Sequence, residues 1–137
     1  MARFLEGFTG LALALCLPLS TVASAQAADP RTVAIGASAQ FAVGYGVWRI
    51  EQKCLKMPAA RHDQYARVIA DSMRRLREAV DERLFNAAVG SGEDTANDPK
   101  MAKCDDVGLF DFGLQQAEEA QAKLVSLPSG YHLKMID

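Results

Sequence analysis

Residues 63–89 read DQYARVIADSMRRLREAVDERLFNAAV, and the fold turns on this stretch. Apolar side chains recur at steps of three and four through Tyr65, Ile69, Met73 or Leu76, Val80, Leu84 and Ala87 or Ala88. That repeat is one face of an α-helix. The opposite face carries Arg67, Asp71, Arg74, Arg75, Arg77, Glu78, Asp81, Glu82 and Arg83. Asp71 to Arg75 is a favourable i,i+4 pair, while Arg74–Glu78 and Arg77–Asp81 have the weaker orientation. The cluster Arg74-Arg75-x-Arg77 offers phosphate or an acidic partner a site, but the interleaved carboxylates make a solvated, salt-bridged face the stronger reading. One amphipathic helix is therefore expected from Pro58 or Asp63 to Val89.

Upstream, Asp29-Pro30 is an N-cap followed by proline at the first helical position, where its missing N–H costs nothing. From Pro30 to Met57 two apolar stripes run at helical spacing, Ala39, Val43, Val47, Ile50, Cys54, Met57 and Val33, Ala37, Phe41, Tyr45, Trp48, Leu55. A helix apolar on two sides is one buried between neighbours. Gly36, Gly44 and Gly46 either allow close helix approach or break the helix near residue 45. Thr32 to Trp48 carries no charge, yet Ser38, Gln40 and the glycines make about 17 residues a poor membrane span.

Downstream, Gly90 to Pro99 is a loop by composition. Asp94, Asn97 and Asp98 lack the ordered spacing and terminal glutamate of a calcium loop. Asp98 before Pro99 reads as another N-cap. A third helix is expected from Pro99 to Leu127, with interruption at Gly108 or Gly113 left open. Its stripe is Cys104, Val107, Phe110, Leu114, Ala117, Ala120 or Gln121, Leu124 and Leu127. Asp105 and Asp106 suit its first turns, where the helix dipole favours negative charge. Pro128-Ser129-Gly130 closes it. The tail, Tyr131 to Asp137, is open to three readings: a short strand, a packed arm or a frayed end.

The first 27 residues have the layout of a secretory signal peptide: Arg3 near the start, an apolar run from Phe8 to Leu17, Pro18, then Ala23-Ser24-Ala25 and Ala25-Gln26-Ala27 as cleavage patterns. Leu15 before Cys16 argues against lipidation. Removing residues 1–27 leaves 110 residues at a net charge still of −2, because Arg3 and Glu6 leave together. It also leaves two cysteines, Cys54 and Cys104, an even count that an oxidising compartment selects. Fifty positions apart, they suit a structural disulfide rather than a redox pair. In a plain up-down-up bundle they would sit at opposite ends, roughly 40 Å apart. A disulfide needs Cα atoms within about 7 Å. A crossover or a folded-back second helix is therefore expected.

These readings give an all-α fold, a small bundle of three helices, or four with a break, stapled by one disulfide after a cleaved signal peptide. Residues 1–27 are the signal peptide, 28–130 the helical domain and 131–137 a C-terminal tail. The expected location is the periplasm or the exterior, with no stable membrane span once the signal is cleaved.

Composition narrows function by exclusion. Fifteen basic residues against 17 acidic ones, with 7% aromatics, supply neither the basic stripe nor the stacking platform of a nucleic-acid binder. No nucleophile elbow, zinc helix, phosphate loop or dinucleotide fingerprint occurs. His62 and His132 are isolated in sequence, and Asp105, Asp106, Asp111 and Glu118 are as well explained by an acidic helix start as by a catalytic pair. No enzyme activity, cofactor or metal is expected. The surplus apolar area around Phe41, Tyr45 and Trp48 makes these the candidate partner-binding residues. The expected function is a small exported, non-catalytic envelope protein that binds another protein or client. The alternatives are an accessory subunit of an envelope complex, and a carrier of a small apolar ligand lined by Met57, Met73 and Phe110. A signal peptide, a short helical domain and two cysteines so spaced resemble the small periplasmic acid-stress chaperones of the HdeA type. That resemblance implies acid-triggered loosening that exposes apolar surface to clients.

Overall fold

The computed structural model describes residues 28–135, so the leader at 1–27 lies outside the described residues. Four helices follow in order: α1 (Pro30–Cys54), α2 (Ala59–Ala79), α3 (Glu82–Asn97) and α4 (Val107–Ser126). The fold is all-helical and stapled by the Cys54–Cys104 disulfide, whose Cα atoms stand 5.3 Å apart.

Helix α1 starts as its sequence dictates, with the Asp29 side chain accepting from the Arg31 amide and Pro30 at the first position. It passes Gly44 and Gly46 unbroken and ends at Cys54 rather than Met57. The cause is Glu51, a fully buried carboxylate that accepts from the amides of Lys56 (3.2 Å) and Met57 (3.0 Å). Those N–H groups are thereby taken from the helical ladder. Leu55 adopts a left-handed conformation (φ 49°) with its N–H on the Glu51 carbonyl, and Pro58 follows.

The long second helix expected to Val89 is two helices. Val80 is extended (φ −134°, ψ 159°), and the Asp81 side chain accepts from the Leu84 amide at 2.9 Å, capping α3. The tail stabilises the break: the Asp81 amide donates to the Leu133 carbonyl, and the Leu133 amide donates to that of Ala79. As far as Met135 the tail is thus a packed arm, with Leu133 buried and in a parallel bridge to Val80, and its last two residues lie outside the described residues.

The break turns the chain back along α1. Residues 90–97, expected as loop, are the second half of α3, because glycine serves there as a packing residue. A Cβ on Gly92 would stand 3.0 Å from the Ala42 carbonyl oxygen and closer still to the Tyr45 ring. Asp98 closes α3 instead of starting the next helix, and its side chain accepts from the Lys100 amide. Helix α4 begins at Val107, capped by Asp106 onto the Leu109 amide, eight residues later than expected from Asp98-Pro99. Cys104 consequently lies in an exposed loop and not on a helical core stripe.

Helix α1 is the hub. It runs parallel to α3, as the Tyr45–Glu93 hydrogen bond and the approach of Gly46 to Thr95 show. It runs antiparallel to α4, where Gly44 meets Ala117 and Gln40 meets Glu119. Helix α2 packs on α1 and α4, parallel to the latter through Arg61–Asp111, Gln64–Glu118 and Asp71–Gln121. Helices α3 and α4 have no Cα pair within 8 Å of each other. The main core gathers Phe41, Tyr65, Leu76, Val80 and Leu114, and a smaller cluster of Val47, Ile50, Ala96 and Phe110 lies at the disulfide end. Fully burying each large side chain stabilises the fold by about 1.5–3 kcal/mol before conformational entropy is counted. Of the two routes expected from the cysteine spacing, a crossover or a folded-back second helix, the second is the one by which Cys104 reaches Cys54.

Candidate protein-binding groove

The three aromatic residues singled out on α1 are core residues. Phe41 is fully buried, and Tyr45 and Trp48 are 8% and 7% exposed. Phe41 stacks on Tyr45 with ring centroids 5.6 Å apart, and Trp48 packs against His62 (4.7 Å) and Tyr65 (5.0 Å). The Tyr45 hydroxyl donates to Glu93 at 2.6 Å, while Glu93 also pairs with Arg49 at 3.5 Å. Burial, then the Glu93 carboxylate, raises the Tyr45 phenol above its ordinary range. The Tyr65 hydroxyl donates to the Gly44 carbonyl, and burial followed by the charge of Glu51 pushes it well above the ordinary phenol range. These groups hold helices together and present nothing to a partner in the folded state.

The exposed apolar face of α1 lies on its other side. Ile35 and Val43 are 41% and 39% exposed, and Ala39 between them is exposed too. At 100° per residue these i, i+4, i+8 positions form one stripe. The residues of α1 that meet α3 (Ala42, Tyr45) and those that meet α4 (Gln40, Gly44, Val47) fall on either side of that stripe, while Gly46, in line with it, lies against Gly92 and Thr95 of α3, which close its far end. No Cα of α3 comes within 8 Å of one of α4, and along Ile35, Ala39 and Val43 the stripe between them stays exposed, the floor of an open groove facing away from α2. Ile35, Ser38, Ala39 and Ala42 of α1, with Leu84, Ala87, Ala88 and Ser91 of α3, line a shallow depression of about 250 Å³ on its α3 side. Ser38 adds no free polarity, since its hydroxyl donates back to the Ala34 carbonyl at 2.9 Å.

The α4 side is polar. Gln40 donates to Glu119 at 2.5 Å, Lys123 donates to Gln40 at 2.6 Å, and Gln115 donates to Glu119 at 3.2 Å. This chain of side chains fixes the rim by satisfying its members internally. The floor and one wall are therefore apolar, and the other wall is a pre-paired polar strip. A helix with one apolar face matches that arrangement. The chain matches no protein-family model, no characterised protein and no solved structure.

The remaining sequence candidates are dispersed. His62 Nδ1 lies 3.3 Å from Glu51, and His132 Nδ1 lies 2.9 Å from the Glu78 carbonyl at the other end. Asp106 caps α4, Asp111 pairs with Arg61 at 2.8 Å, and Glu118 accepts from Gln64, so these carboxylates have separate partners. Arg74 and Arg75 pair with Asp71, and Arg77 lies 4.5 Å over the Phe85 ring, which makes the arginine cluster a salt-bridged face. Phe110 is fully buried in the small cluster, and Met73 packs on the main core. Among the described residues no three metal-ligating side chains converge, and no helix is long and apolar enough to cross a membrane.

The groove was half visible in the sequence. Ala39 and Val43 belong to the first apolar stripe of α1, but its continuation through Val47 and Ile50 is buried under Ala96 and Phe110. Only the path of α3 and α4 decides which half of the stripe stays open.

Proposed function

We propose that this is a small exported, non-catalytic helical protein of the cell envelope that binds another protein by seating one of its helices over Ile35, Ala39 and Val43. The observation that carries the reading is the uncovered apolar stripe of α1 between two helices that have no Cα pair within 8 Å of each other. From Ile35 to Val43 the stripe extends about 12 Å, the length of two helical turns. That size suits one dedicated helix better than the broad surface an unfolded client presents, and so favours an accessory subunit over a chaperone. Export is supported by the leader layout at 1–27 and by the pairing of the two remaining cysteines.

The test is co-purification from the native envelope with Ala39→Arg and Ala87→Arg, each of which places a charge in the groove. Both should lose a partner that the parent retains at fixed stoichiometry. Ala70→Arg, on the exposed face of α2, should keep it. Retention by all three variants would remove the groove from the account.

A further inference from the structure

Thr32 to Trp48 contains no charged residue, and the whole of that segment lies in α1. Helices α4, α3 and α2 cover α1 on three sides. On the fourth, Ile35, Ala39 and Val43 stay exposed, yet they are as apolar as the residues of the covered sides. Helix α2 shows what a solvent-facing side looks like in this protein, with Arg67, Arg74, Arg77 and Glu78 exposed along it. A helix without such a side is one covered all round. The composition of α1 therefore calls for a fourth cover that residues 28–135 do not supply.

The chain holds a segment of the right size, joined to α1 at the end where the stripe begins. Among the residues before α1, Phe8 to Leu17 is an apolar run of ten. As a helix it is about 15 Å long, against about 12 Å for the floor from Ile35 to Val43. At helical spacing Phe8, Leu11, Ala12 and Leu15 share one face. Their bulk complements an α3 wall built from the small residues Ala87, Ala88 and Ser91. The run carries no charge, so it leaves the Gln40–Glu119 and Lys123–Gln40 pairs of the other wall undisturbed. Pro18 ends it, and the twelve residues from 18 to 29 reach about 40 Å when extended, enough to turn back along the first two turns of α1.

We propose that the groove's first occupant is the chain's own leader: in the unprocessed protein the Phe8–Leu17 run lies antiparallel to α1 over Ile35, Ala39 and Val43, and removal of residues 1–27 opens the floor to the partner's helix. The inference rests on the groove reading above and adds its control by processing. The direction follows from the tether, which brings the Leu17 end of the run to Ile35 and the Phe8 end to Val43. Leu13 and Leu17 fall on the run's outer face, so docking is reversible and leaves the cleavage patterns at 23–27 free.

The leader carries its own reporter, Cys16, at the Leu17 end of the run. In the purified, unprocessed full chain a second free thiol is introduced by Ile35→Cys, by Val43→Cys at the far end of the floor, or by Ala122→Cys. Ala122 is exposed on α4 beside Lys123, whose ammonium reaches Gly36, so it stands at the height of Ile35 but off the groove. Mild oxidation is followed by mass mapping of the new bond, with the Cys54–Cys104 bridge verified in each variant. Cys16 should pair with the Ile35→Cys thiol within one chain, at least about tenfold faster than with the Val43→Cys or Ala122→Cys thiol, because docking raises the local thiol concentration above what the tether alone supplies. Leu11→Glu together with Leu15→Glu should bring the three rates together. Equal rates with the parent leader, no bond to the Ile35→Cys thiol, or a bond formed only between two chains would overturn the proposal. The groove reading is decided separately, by whether Ala39→Arg and Ala87→Arg lose the partner.

Discussion

Replacing Gly44 by alanine sets two physical effects against each other at one atom. Helix propensity alone favours the change, since alanine in a helix interior is better than glycine by about 1 kcal/mol. Packing opposes it, because a Cβ at Gly44 would stand 2.9 Å from the backbone nitrogen and Cβ of Ala117 and 3.0 Å from its Cα. Backbone in a helix cannot move aside as a flexible side chain can, so α1 and α4 must separate. Overpacking of this kind costs about 1–3 kcal/mol, and the Tyr65 hydrogen bond to the Gly44 carbonyl is strained along with it. The expected net loss is about 1–2 kcal/mol. Gly90→Ala is the internal control, for a Cβ there meets nothing within 4 Å and α3 continues through it. It should gain up to about 1 kcal/mol. For a chain of this size 1 kcal/mol moves Tm by about 4 °C, so the two variants should melt roughly 10 °C apart on either side of the parent. Thermal and urea unfolding of the oxidised proteins, followed by circular dichroism, reads both. A Gly44→Ala protein as stable as Gly90→Ala would refute the close approach of α1 and α4.

Three other outcomes follow from the same structure. Changing Cys54 and Cys104 to alanine together opens a loop with a sequence separation of 50 and should lower unfolding stability by about 4 kcal/mol in the chain-entropy model, measured by urea titration. Glu51→Ala leaves the Lys56 and Met57 amides and His62 without their acceptor, and should cost about 3 kcal/mol while weakening amide-exchange protection at residues 55–62. Asp71 is held at about 2, below its ordinary 3.8, by the Gln121 amide first and then by Arg75 and Arg74, against the opposing effect of burial. Because its folded value is depressed, the stability it contributes is complete above about pH 4 and is lost as pH falls through about 2. Asp71→Asn should flatten the melting curve against pH in that window, and an unchanged acid limb would separate α2–α4 pairing from acid sensitivity.

The local signals in the sequence were strong where one residue settles one backbone decision. Asp29-Pro30 starts α1, and the spacing of Cys54 and Cys104 already required either a crossover or a folded-back second helix. The break itself was hidden at Asp81. In sequence it looks like one more charge on a solvated face, yet its carboxylate caps α3 and also accepts from the distant Met135. Gly90 and Gly92 misled by composition: they are rare in helices that face water, but helical here because Gly92 lies against Ala42 and Tyr45. The groove was obscured for a related reason. Phe41, Tyr45 and Trp48 carry the largest apolar area on α1, and that is why the core takes them; a smaller stripe through Ile35 and Val43 is left uncovered because two neighbouring helices stand apart.

A photo-crosslinking side chain placed at Ala39 of the full chain expressed in its native cell, with Ala70 on the outer face of α2 as the matched exposed control, tests the proposed groove. The account predicts one discrete adduct from Ala39, of the same mass in repeated preparations, abolished by Ala87→Arg across the groove, with none from Ala70. Equal smears from both positions, or an Ala39 adduct that survives Ala87→Arg, would contradict it.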